Sequence, residues 1–195
     1  MWIRVAVFLW VLVIAGYYAW RADHLILMPK ITLRFENRMP FKQPSPMEGI
    51  VGVKMFFRVF PDCSSPVPNC TGHLLAVYRE IDGHWKPTLF NEAVLLTWAD
   101  GRVGPITIEP RIGPYLNVFC TDSDEKEIMP CLAHPMLRTS AMFRKRSEEK
   151  HMTFRFDIQV TNGAPISLKV RMDDRPPYWD RPLIEVLPYD ENSSN

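Results

Sequence analysis

The sequence is short of glycine and rich in proline, nine against eighteen, and it lacks an excess of either charge: 23 basic and 22 acidic side chains leave a formal charge of +1. That balance provides no field to steer a polyanion, so nucleic acid is not an expected partner. Proline removes a backbone donor and breaks helix interiors, so the composition disfavours a helical bundle and favours short strands with stiff connections. Local catalytic signatures are missing too. No G-x-S-x-G elbow, H-E-x-x-H pair, P-loop or G-x-G-x-x-G turn occurs, and the five histidines are scattered. The cysteine spacings, C-x6-C and C-x10-C, are too wide for zinc knuckles. His73 and His134, each three residues past a cysteine, complete no recognised ligand pattern. The run 122–127 (DSDEKE) lacks the glycine and the distal glutamate of a calcium loop and reads as a solvated connection. No metal or cofactor is expected.

An apolar fraction of 47% with 23% charged residues is that of a folded chain, and 195 residues suit one domain with an appendage. The appendage is N-terminal. Residues 5–20 (VAVFLWVLVIAGYYAW) carry no charge, and Trp2 and Ile3 extend the run past Arg4. As a helix, Trp2 and Trp20 would stand roughly 27 Å apart, against a hydrocarbon layer of about 30 Å. Tyr17, Tyr18 and Trp20 then form one interfacial belt, while Arg4 and Arg21 reach the headgroups at the two ends. Two alternatives compete with this uncleaved anchor. A cleaved signal peptide needs small residues at its exit, whereas residues 16–22 (GYYAWRA) are crowded with aromatics. A buried core helix would show a polar face. Orientation is contested. Arg21, Lys30, Arg34 and Arg38 outnumber Arg4 and favour a cytoplasmic body, while the cysteines favour an extracytoplasmic one.

Those cysteines fall into two local pairs, Cys63 with Cys70 and Cys120 with Cys131, although three connectivities are open. Closed locally, rings of about 8 and 12 residues would contribute roughly 2–3 kcal/mol each. Cys63 and Cys70 border an expected exposed loop (PDCSSPVPNCTG), where a free thiol has no packing reason. The expectation is therefore a disulfide-bearing body in an oxidising compartment, probed by the alternative that Cys120 is a reduced, buried, small apolar side chain.

Beyond residue 24 the pattern is β. Alternating or β-branched runs predict strands over 31–35, 52–60, 73–81, 93–98, 106–109, 115–120, 152–160, 166–172 and 183–187, separated by Asp82-Gly83, Asp100-Gly101, Gly113-Pro114 and Asn162-Gly163 turns. Short strands at this spacing favour an antiparallel sandwich. Residues 40–46 (PFKQPSP) read as a stiff linker or edge loop, and 137–150 as a short surface helix or charged loop. The expected organisation is a signal-anchor helix at 1–24, a first strand and proline-rich connection at 25–50, a β-sandwich at 51–188 and a disordered tail at 189–195.

The lone membrane segment, the strand around Leu33, the strand bearing Trp98, the stretch ITIEP (106–110) with GPYLNVF (113–119), and FRFDI (154–158) together resemble uncharacterised bacterial single-pass membrane proteins with an immunoglobulin-like β-sandwich domain. The resemblance covers most of the chain after residue 30 and implies no catalytic residues. The chain departs from antibody domains in that neither Trp85 nor Trp98 holds the spacing of a core tryptophan after Cys63, and local disulfides would not bridge two sheets.

The functional expectation is a non-enzymatic interaction or assembly module of the cell envelope, tethered to the bilayer through residues 2–21 and contacting a protein partner. The contact residues expected are Arg175, Tyr178, Trp179 and Arg181 in the run RPPYWDRP, since aromatics and arginine anchor interfaces. Two alternatives remain. One is an envelope ligand-binding or hydrolytic domain gathering His73, His84, Asp122 or Glu127 from separate loops. The other is a secreted, disulfide-stabilised protein released by signal-peptide cleavage.

Overall fold

The computed structural model describes residues 10, 13–18, 31–46, 53–122, 127–133, 143–144, 151–173 and 182–189. Residues 10 and 13–18 are helical. Among the described residues no helix is long and apolar enough to cross a membrane, and most of the expected span, including Trp2, Arg4, Trp20 and Arg21, lies outside them. Everything else described is strand, turn or loop.

Among the described residues fourteen strands form antiparallel sheets. The first sheet runs β1 (Thr32–Arg34), β3 (Val53–Asp62), β9 (Leu116–Asp122), β10 (Glu127–Pro130), β11 (Phe143–Arg144), with β2 (Lys42–Pro46) also paired to β3. The second runs β14 (Leu183–Pro188), β13 (Ile166–Asp173), β12 (His151–Val160), β5 (Gly72–Ile81), β6 (His84–Pro87), with β7 (Val94–Leu95) also on β5. A two-stranded ladder joins β4 (Val67–Cys70) to β8 (Ile106–Ile108).

Period-two patterning explains the pairing. Met152, Phe154, Phe156, Ile158 and Val160 alternate along β12, and all are buried. Phe57 and Val59 do the same on β3, as the sequence predicts. Inner faces of the two sheets meet in one core. Phe57 of β3 stacks on Phe119 of β9 at 4.6 Å, and Phe119 stacks on Phe156 of β12 at 4.9 Å, so three rings run from sheet to sheet. Each fully buried ring of this kind contributes about 1.5–3 kcal/mol by transfer.

Turns fall where the chemistry allows them. Asp82 and Gly83, both at positive φ (54° and 76°), join β5 to β6, and Asn162 (φ 66°) turns β12 into β13. Residues 94–98 stitch the sheets together at a corner. β7 pairs with β5 of the second sheet, then Leu96 bridges Leu132 and Trp98 bridges Leu116 of the first. Trp98 is fully buried, with its indole N–H donated to the Gly104 carbonyl at 3.1 Å.

Strand order is informative about topology. β5, β12 and β13 follow the C–F–G order of an immunoglobulin sheet. In the first sheet β9 lies beside β3 with its hairpin partner β10 outside it, whereas the immunoglobulin B–E–D order puts the later hairpin strand inside.

Three local expectations are corrected. Residues 42–46 are not a free linker but a strand on the edge of β3, where proline costs no ladder bond on the solvent side. Ile31, Leu33 and Phe41, expected in a segment ahead of the sandwich, are buried in the body of the protein. The 122–127 run is no open loop at its ends: Asp122 and Glu127 face each other across β9 and β10, and Glu127 is buried.

Candidate functional site

A site could lie on buried polar groups, in a cavity or on an open surface. Buried polar groups come first. β12 is the central strand of the second sheet, and its outward Thr153, Arg155 and Asp157 are buried as well as its inward positions. There the Arg155 guanidinium lies 3.1 Å from both carboxylate oxygens of Asp157, and the Ser167 hydroxyl donates to Asp157 Oδ1 at 2.7 Å. Arg155 also sits over the Tyr78 ring, 4.2 Å from its centroid, and near Trp85. Burial pushes the Asp157 carboxyl above its ordinary range, while Ser167 and Arg155 pull it back. A raised carboxyl pKa is what a general acid needs, but Asp157 is 1% exposed and its oxygens are occupied by Ser167 and Arg155. The pair orders the strand and is not presented to a substrate.

On the outer face of the first sheet, Arg58 Nε donates to Asn117 Oδ1 at 2.8 Å and Asn117 Nδ2 to Thr97 Oγ1 at 3.4 Å. The Thr97 hydroxyl in turn donates to the Cys131 carbonyl at 3.3 Å. All four residues are buried. Desolvation lowers the Arg58 pKa, and the neighbouring Cys131 and Tyr115 oppose it. This chain ties β3, β9 and the 94–98 corner together, which is a structural role.

The cysteines depart from expectation in two respects. Cys63 and Cys70 do not sit on an exposed loop: both are buried, at 8% and 0% exposure, because β4 folds back onto β8 and turns their side chains into the core. Cys120 and Cys131 share a smaller cluster with Met129 on the outer face of the first sheet, with Phe56 packed against it. All four are free thiols in the structure, so neither expected bond is formed, yet each expected pair is drawn into one neighbourhood.

The residues of the alternative pocket are not brought together. His73 on β5 shares a 2.7 Å hydrogen bond with the Thr71 hydroxyl, and His84 is exposed at the start of β6. Asp122 and Glu127 oppose each other in the other sheet. Among the described residues no three His, Cys, Asp or Glu side chains could hold a metal ion. Two cavities, of about 710 and 400 Å³, flank Arg111 at one end of the first sheet. Arg34 is paired with Asp62 and Arg38 with Glu36 there, so most of that charge is already neutralised.

Open surface is more informative. Sheet edges are normally blunted by shortness, proline or lysine. β1 and β11 are three and two residues long, and β2 and β6 contain proline and lysine. β14 is longer. It spans six residues with a proline only at its last position, pairs among the described residues with β13 alone, and carries Leu183 and Val186 at 60% and 44% exposure with Glu185 between them. Nothing in the sequence pattern marks β14 as an edge, because edge position depends on which strands pair. Apolar exposure recurs at the N-terminal helix, where Trp10, Val13, Ile14, Tyr17 and Tyr18 are all exposed. The expected contact residues Arg175, Tyr178, Trp179 and Arg181 lie outside the described residues, immediately ahead of β14 in the chain.

No protein-family model, no curated protein and no solved structure matches this chain.

Proposed function

We propose that the protein is a non-enzymatic interaction module of the cell envelope, an immunoglobulin-like β-sandwich held at a bilayer by its N-terminal helix. The observation that carries the interaction reading is the open β14 edge, with Leu183 and Val186 exposed on either side of Glu185. An extended segment of a partner protein adds to such an edge by main-chain hydrogen bonds, while its alternate side chains meet those of β14. The chemistry of β14 asks for apolar residues over Leu183 and Val186 and a Lys or Arg beside Glu185. The sandwich reading is supported by two antiparallel sheets sharing one core and by the C–F–G order of the second sheet. Tethering is supported by the helix that turns Trp10, Val13, Ile14, Tyr17 and Tyr18 outward together, a surface suited to lipid rather than water.

A photocrosslinking amino acid placed at Val186 in the full-length protein, in native membranes, tests this. The expected result is a discrete adduct with another protein that is lost when Leu183 is changed to lysine and does not form from a crosslinker at Thr107, exposed on β8. An adduct with a second copy of the chain, or none at all, overturns the partner-strand reading.

A further inference from the structure

We infer that Cys63 and Cys70 are a disulfide-forming pair that closes the 63–70 strap where it lies against the β8 strand. The inference rests on where the two sulfurs lie. Cys63 Sγ contacts the Ile108 carbonyl oxygen at 3.6 Å, and the Cys70 thiol donates to the carbonyl of Val67, the residue paired with Ile108, at 3.3 Å. Both sulfurs therefore lie at the Val67–Ile108 pair, where the β4–β8 ladder is interrupted between Val67 and Cys70. Asn69, at φ 56°, makes the reversal that turns Cys70 inward. Cys63 is close enough to Cys70 to disfavour ionisation of its thiol.

Access is asymmetric. Cys63 lines the 710 Å³ cavity with Thr32, Asp62, Ser64, Pro110 and Arg111, whereas Cys70 is fully buried. Cys63 is thus the entry thiol and Cys70 the resolving one. The Cys63 thiolate attacks a disulfide of a thiol oxidoreductase or of a glutathione-type carrier, forming a mixed disulfide and releasing one carrier thiol. The Cys70 thiolate then attacks Cys63 Sγ and expels the second carrier thiol. Two protons and two electrons leave the protein, and one carrier disulfide becomes two thiols. Burial, with Asp62 and Glu109 close by, raises the Cys63 pKa, and burial raises that of Cys70 as well. Both ionise poorly at neutral pH, so the bond forms slowly without a catalyst and exchanges slowly once made.

The inference deepens the envelope reading, because a stable bond of this kind requires an oxidising compartment. Full-length protein in detergent, made by secretion into an oxidising compartment, is denatured, alkylated and mapped by peptide mass. The expected result is a peptide linking Cys63 to Cys70, unaffected by Cys120→Ala and Cys131→Ala. Reduction should lower the melting temperature by roughly 5–15 °C, and Cys63→Ser should remove that sensitivity to reductant. Alkylation of both Cys63 and Cys70, or a link from either to another cysteine, overturns the pairing. Sedimentation of the membrane fraction reports the tether separately. Retention in the membrane with both thiols free would defeat this inference and leave the tether standing.

Discussion

Replacing Asp157 by asparagine keeps the shape of the side chain and an acceptor for the Ser167 hydroxyl, but removes the negative charge 3.1 Å from Arg155. Both residues are nearly inaccessible to water. Breaking a buried pair of this kind costs about 3–5 kcal/mol, because the remaining charge stays in a low-dielectric site. At roughly 2–4 °C per kcal/mol for a chain of this size, the midpoint should fall by about 6–20 °C or the protein should fail to accumulate. Arg155→Met is the informative counterpart. Arginine cannot shed its charge, but Asp157 can, and burial already favours its neutral form. The methionine variant should therefore regain stability on acidification, as Asp157 takes up a proton above the ordinary carboxylate range, while the asparagine variant should not. Combining the two substitutions should restore much of the loss, since a neutral, similarly sized pair replaces the ions. Urea unfolding of full-length protein in detergent, followed by tryptophan fluorescence, measures all four corners of the cycle. A cost below about 1 kcal/mol for Asp157→Asn would match an exposed pair and refute the reasoning.

Two further expectations concern stability. Thr121 is buried and its hydroxyl has no hydrogen-bond partner among the described residues, so Thr121→Val should raise stability by about 1 kcal/mol, read from the urea midpoint. Burial lowers the His73 pKa below its ordinary 6.5. The folded state then resists protonation, so this contribution is fully present above the unfolded value and is lost as pH falls through it towards the folded pKa. Wild type should lose stability between about pH 7 and about pH 5, and the slope over that window should be shallower in His73→Gln, measured by thermal melts at matched ionic strength.

The strand-forming segments were legible because period-two patterning is local: Phe57 and Val59 on β3, and the alternation from Met152 to Val160, declare an inner face without reference to any partner. The Asp82-Gly83 and Asn162-Gly163 turns were legible for the same reason, since positive φ restricts the residue types. Strands without that alternation were missed. β4 (VPNC) and β10 (EIMP) contain proline or charge and owe their pairing to β8 and β9. The burial of Cys63 and Cys70 was hidden as well, because a polar, proline-rich loop composition carries no information about what the loop folds against.

The sequence by itself determined the β character, the turn positions and an apolar N-terminal segment, since each depends on side chains within a few residues of one another. Only tertiary structure decided that β14 is an edge among the described strands, that the Arg155–Asp157 pair lies under the Tyr78 and Trp85 rings, and that two sulfurs come to the Val67–Ile108 pair. Those outcomes join segments far apart in the chain, or depend on which neighbours a strand acquires. Pairing is a property of the whole sheet, and the free energy that selects it is the burial of faces that no single segment possesses.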